Sequence, residues 1–153
     1  MGSEVVAPQS AAAERRHSIQ QLESFLLTCV QADMPVEHFF ADGLYARKLT
    51  IPQNCCLTGA IHKRQHINIV AKGDITVITE RGPRRVQAPA IIVSEPGTKR
   101  AGFAHEETVW ITVHACEAKT EAEAEALLVT NSFEDYERFL EDQQCHSQLP
   151  EQS

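Results

Sequence analysis

A chain of 153 residues is long enough for one domain with a proper core and too short for two ordinary ones. Its formal net charge of −7 argues against a general nucleic-acid binder, since affinity for phosphate backbones comes from Lys and Arg, and the one basic cluster near a turn, Arg81, Arg84 and Arg85, reads as a solvated hairpin tip. Five cysteines without a CxxC pair, no secretory leader pattern and no apolar run long enough to span a bilayer point to free thiols, a cytoplasmic setting and no membrane partner.

Residues 1–10 are small and polar and are expected to form a disordered tail. Over 11–34 the residues Ile19, Leu22, Phe25, Leu26 and Cys29 recur at three- and four-residue steps, the pattern of an amphipathic helix, which Asp33-Met34-Pro35 should stop. From 36 to 118 the texture changes to short runs rich in Val, Ile and Thr, among them "YARKLTI", "INIVA", "ITVITE" and "VWITVHA", set off by Gly and Pro turn signals. Many short strands with frequent turns predict a sandwich or barrel rather than a parallel sheet. A helical segment over 120–142 follows, acidic at its start and carrying Phe133, Tyr136, Phe139 and Leu140 as a second apolar stripe. Residues 143–153 read as a frayed tail. The expected fold is thus mainly β, a single barrel flanked by N- and C-terminal α-helices.

The chemistry-bearing residues sit in "IHKRQHINIVAKG", where His62 and His66 stand four residues apart just before an alternating strand. Such spacing suits a helix face, but the β-branched, turn-bounded sequence that follows predicts a hairpin, so a shared site would be built by a strand and the bend leading into it. Adjacent Cys55 and Cys56 would face opposite sides of a strand. In "VWITVHA", Trp110, Thr112 and His114 share one face; if that face lines the barrel interior, His114 joins the pocket and Trp110 is one of its walls. If the valine face is the core, His114 lies on the surface.

This central segment resembles a small cupin, a family whose first motif is written G-x5-H-x-H-x3,4-E-x6-G. Counting back from Gly73, His66 takes the glutamate position, His62 the second histidine, Ala60 the first histidine and Asn54 the leading glycine. In the second motif, G-x5-P-x-G-x2-H-x3-N, the Pro96-Gly97 turn is present, Arg100 stands where the histidine would be, and His105 follows five residues later. The arrangement also looks like a group of small cupin-like proteins encoded by tailed phages and prophages. The resemblance implies a double-stranded β-helix (jelly roll) and, for a phage protein, a bacterial host cytoplasm or incorporation into the virion.

It further implies a divalent transition metal (Fe, Mn, Ni or Zn) on His62 and His66, with His105 as the expected third ligand ahead of His114. Imidazoles suit such ions, and a hard cation such as calcium would want oxygen. Glu106 and Glu107 are the acids beside His105. The alternative is a barrel that has kept its shape without a metal, its histidines making ordinary hydrogen bonds.

Lys63, Arg64, Lys99 and Arg100 flank the two motif segments, so cations would ring one mouth of an acidic protein and favour a small anionic ligand, with Trp110 and His114 beside it. Pairing of these cations with Glu80, Glu95, Glu106 or Glu107 is the competing arrangement. Three functions remain open on sequence grounds: a ligand-binding protein with a metal, a metal-dependent enzyme of unstated reaction, and an assembly protein whose helices join barrels into a homodimer or larger homo-oligomer.

Overall fold

The computed structural model of the chain describes residues 8–147, so residues 1–7 of the tail expected over 1–10 and residues 148–153 of the tail expected over 143–153 lie outside the described residues, while 8–10 and 143–147 are helical. In chain order the elements are α1 (Pro8–Leu26), β1 (Val36–Ala41), β2 (Leu44–Ile51), β3 (Cys56–Thr58), β4 (Ile61–His62), β5 (His66–Lys72) and β6 (Asp74–Thr79). There follow β7 (Gly82–Gln87), β8 (Ala90–Ser94), β9 (Ala101–Ala104), β10 (Thr108–Ala115), α2 (Glu121–Leu128), β11 (Val129–Thr130) and α3 (Phe133–Ser147). Among the described residues no helix is long and apolar enough to cross a membrane.

Two antiparallel sheets form the barrel. One has the order β1-β2-β10-β5-β8 and the other β3-β9-β6-β7. Period-two alternation decides what each strand turns inward. In the first sheet Thr112 lies between Arg47 and Asn68, and Trp110 between Leu49 and Val70, so these side chains share the inner face. In the second sheet Ile75 lies between Val86 and Ala104. Ile51, Val70, Ile75, Val77, Val86 and Ala104 meet between the sheets as the main core, each nearly or fully excluded from water. Burying one such aliphatic side chain contributes roughly 1.5–3 kcal/mol.

Asp74, just after the β5–β6 turn, is held by Arg85 at 3.0 and 2.8 Å and by Gln87 at 3.1 Å. Those bonds hold its carboxyl down at about 2. The turn itself needs Gly73, whose φ is +99° and whose missing Cβ would collide with the Glu107 carbonyl oxygen.

The helices pack on their own barrel. Ile19 is buried beneath α1, which lies against β3 and β6. Glu23 of α1 accepts from the buried Lys99 at 2.6 Å and from Thr58 at 2.8 Å. α1 ends at Leu26, short of the stop anticipated at Asp33-Met34-Pro35. Its last carbonyls are taken by local side chains: Thr28 Oγ1 donates to Phe25 O, and the Gln31 amide donates to Leu26 O. At the other end of the chain, Thr120 caps α2 by accepting from Glu123 N. The helical pattern over 120–142 is broken by β11, which pairs with β4 through Val129↔His62 and Thr130↔Ile61. α3 then places Tyr136 against Gly97 and Phe133 under the Arg16 guanidinium. The large apolar residues left exposed include Ile67, Ile91 and Val93, side by side on the outer face of the first sheet.

Candidate metal centre

His62, His66 and His114 come together at one end of the barrel. β4 carries His62, and the backbone around it is fixed on two sides: Gly97 N donates to His62 O, and Lys63 N donates to Leu128 O, each at 2.8 Å. His66 opens β5, turned back by the Lys63–Gln65 bend. His114 projects from β10 on the same inner face as Thr112 and Trp110. The ring centroids are 4.1 Å apart for His62 and His66, 4.6 Å for His66 and His114, and 5.1 Å for His62 and His114. One nitrogen of each ring can be chosen so that all three lie within 4.8 Å of one another.

Protonation follows from the partners. His66 Nδ1 is 3.0 Å from Arg64 O, and a carbonyl only accepts, so Nδ1 carries the hydrogen. In the neutral ring His66 Nε2 is then a bare lone pair, buried and without a hydrogen-bond partner; His114 Nδ1 is likewise buried and unpartnered. Burial lowers the pKa of all three rings. Burial and the two neighbouring imidazoles push His62 down to about 2, and burial with His66 pushes His114 down to about 4. His66 is lowered by burial and by Arg100, against the opposing bond to Arg64 O. All three are neutral imidazoles, and His62 Nδ1 and His114 Nε2 share one hydrogen across 3.0 Å, which a bound metal would displace.

The three residues fit a divalent transition metal. Two imidazole nitrogens bound to one ion at 2.0–2.1 Å stand about 3 Å apart, and His62 Nδ1 and His114 Nε2 are 3.0 Å apart. The all-nitrogen set suits Zn, Fe or Ni and not a hard oxygen-seeking cation. Among the described residues no carboxylate joins the cluster.

No protein-family model and no curated protein sequence matches the chain. Solved structures do match in shape. An RmlC-like cupin from Shewanella frigidimarina NCIMB 400 aligns with a TM-score of 0.50 and 14% identity over 61% of this chain and 85% of its own. The fold is that of a cupin. KdgF from a Halomonas species aligns at a TM-score of 0.48 and 17% identity over 56% of this chain and 82% of its own. A cupin superfamily protein from Desulfitobacterium hafniense DCB-2 gives 0.48 and 3% over 57% and 81%.

In this fold His105, expected as the third ligand although the second-motif count puts Arg100 at the histidine position, does not stand beside His62 and His66. β9 turns Ala104 into the core, so alternation sends Phe103 and His105 outward. His105 Nε2 lies 2.7 Å from Thr76 Oγ1, and its ring meets the Phe103 ring edge-on. Glu106 and Glu107 are exposed, and Glu107 pairs with Lys72 at 2.8 Å. His114 occupies the third place instead.

The four cations expected at the mouth also separate. Lys63 turns to Ala126 O at 3.0 Å and lies over the Phe139 ring. Lys99 is almost wholly buried, donating to Glu23 and, at 3.0 Å, to Gly59 O. Arg64 is exposed and serves the site through its backbone carbonyl. Only Arg100 keeps its guanidinium by the histidines, where its charge depresses His62 and His66. Arg47 joins it, acting on His62 from β2. That residue was not singled out from sequence, although the alternation of Tyr45, Arg47, Leu49 and Ile51 in "YARKLTI" carries the signal.

Below the histidines the inner face is a polar network. Asn68 Oδ1 accepts from Trp110 Nε1 at 3.0 Å and Thr112 Oγ1 at 3.1 Å, while Asn68 Nδ2 donates to Ser94 Oγ at 2.7 Å. Arg100 also donates to Ser94 Oγ and stands 5.7 Å from the Trp110 ring centroid. Trp110 is therefore a wall beside Arg100, with its polar edge spent on Asn68.

Proposed function

We propose that the protein binds a divalent transition metal through His62, His66 and His114 and holds a small anionic ligand beside it in the barrel. The observation that carries this reading is the convergence of three neutral imidazoles with a buried, unpartnered lone pair on His66 Nε2. An orphaned buried acceptor costs about 1–3 kcal/mol, so a fold that keeps one gains from whatever fills it. The Arg64 carbonyl orients His66 by fixing its tautomer, the service an outer partner gives to a ligating histidine. Arg47 and Arg100 supply positive charge next to the cluster, and the cupin fold is consistent with ligand binding inside the barrel. When bound, the metal supplies a Lewis-acid centre.

The test is titration of chelator-treated protein with Co2+, followed by visible absorption and by the histidine ring signals in NMR. The reading expects saturation near one ion per chain, with the His62, His66 and His114 rings perturbed together. Saturable binding that leaves those rings unchanged, or no binding at all, contradicts it.

A further inference from the structure

β8 and β7 are edge strands of the two sheets and do not pair with each other. A slot of about 390 Å³ opens there, floored by Val77 and Ile92 and bordered by Arg81, Arg84, Arg100 and Ser94. Its volume is that of a small-molecule site. Register explains the arginine on the far wall: Arg84 pairs with Val77, so it shares the inward face of the second sheet at its open edge.

The wall offers donors. Ser94 is buried, and its Oγ already accepts from Asn68 Nδ2 and Arg100, which fills both lone pairs and leaves its hydroxyl hydrogen to donate. No acceptor for that hydrogen is found among the described residues. Arg100 gives one described hydrogen bond, to Ser94, and has no carboxylate within ion-pair distance. Its pKa is lowered, by burial, so its charge is held at a cost that an anion would relieve. Arg81 and Arg84 make no described side-chain ion pair, unlike their neighbour Arg85, which is committed to Asp74. Two acids also border the slot. Glu95 already accepts from Gln65 at 3.0 Å, and Glu80 adds a partial counter-charge to Arg100 without reaching it. Three arginines against two glutamates leave one net positive charge in a cleft, and such clefts focus anions.

We infer that this slot is an oxyanion-binding site in which Arg84, Arg100 and the Ser94 hydroxyl grip the carboxylate or phosphate end of a small ligand. The inference deepens the proposed function and rests on it for one point only, that the rest of the ligand reaches the histidines. Arg100 and Ser94 form the shared wall: Arg100 borders the slot and depresses His62 and His66, and Ser94 is the strand partner of His66. An elongated small acid would thus lie with its charged end in the slot and its other end toward the metal centre. Guanidinium groups bind carboxylates and phosphates with equal geometric ease, so the two sources are separated by probe.

Inorganic phosphate and malonate are titrated separately into the full chain, as isolated and after chelation, and followed by amide NMR. The wild type is expected to show saturable shifts at Ser94, Glu95 and Arg100 with at least one probe, the tighter one naming the source. Arg84→Ala, an exposed change that spares the fold, and Arg100→Gln are each expected to weaken binding roughly tenfold or more. Shifts confined to residues outside the slot, or unchanged affinity in both variants, overturn the inference. Anion binding that survives chelation in a protein that takes up no metal sinks the metal reading and keeps the slot. Metal uptake without slot binding does the reverse.

Discussion

The two ends of the barrel are built on the same strands and behave in opposite ways. On β5 the inward residues run His66, Asn68, Val70, and on β10 they run His114, Thr112, Trp110, Thr108, so both strands put a histidine at one end and a non-ionisable side chain at the other. At the Val70 end, Ile51, Ile75, Val77, Val86 and Ala104 fill the space with aliphatic groups. At the histidine end, two buried ring nitrogens have no partner. The difference teaches that the apolar end supplies the stability and the histidine end spends part of it. Unsatisfied polar groups persist where the surrounding fold over-determines them, and such places are functional sites.

The largest expected effect falls at the apolar end. Ile75→Ala, at a residue 2% exposed, should lower the unfolding free energy by about 2–5 kcal/mol in urea denaturation. A loss below about 1 kcal/mol would mean that the two ends share stability evenly.

An intermediate effect is expected from pH at the other end. The three histidines have folded pKa values below their ordinary 6.5, so the unfolded chain binds more protons once the pH drops under 6.5. Stability of the metal-free protein is therefore present above that pH and is lost on acidification from about 6.5 toward 4, by at most about 1.4 kcal/mol per pH unit for each histidine. Asp74, held at about 2, loses its own contribution only lower still. Urea midpoints between pH 7 and 4.5 measure the slope, and a His62→Gln, His114→Gln double variant should flatten it. An equal slope in that variant would show that the histidine end carries no such cost.

The smallest effect is the most telling about the contrast. His66→Leu fills similar space and removes the buried lone pair together with the Nδ1 bond to Arg64 O, two opposing changes that should leave metal-free stability within about 1 kcal/mol of wild type. A clear loss would make His66 a structural residue.

The sequence shows some of this arrangement and hides the rest for physical reasons. Alternation in "HINIV" and "VWITVHA" puts His66 with Asn68 and His114 with Trp110, but which face looks inward depends on pairing between β5 and β10, more than forty residues apart (Thr112↔Asn68). His62 is positioned by β11, a two-residue strand inside a stretch with strong helix formers, and nothing local marks that pairing. Lys99 was expected at the mouth because its partner, Glu23, lies on α1 at 76 residues' distance. His105 was favoured by its nearness in sequence to the second motif, whereas strand alternation around Ala104 turns it away from the core.

The central claim is that His114, and not His105, completes the metal site. Metal content by elemental mass spectrometry on wild type, His114→Ala and His105→Ala tests it most directly. The account predicts near-stoichiometric metal in wild type and His105→Ala and its loss in His114→Ala. Metal retained by His114→Ala, or lost from His105→Ala with the fold intact, would contradict it.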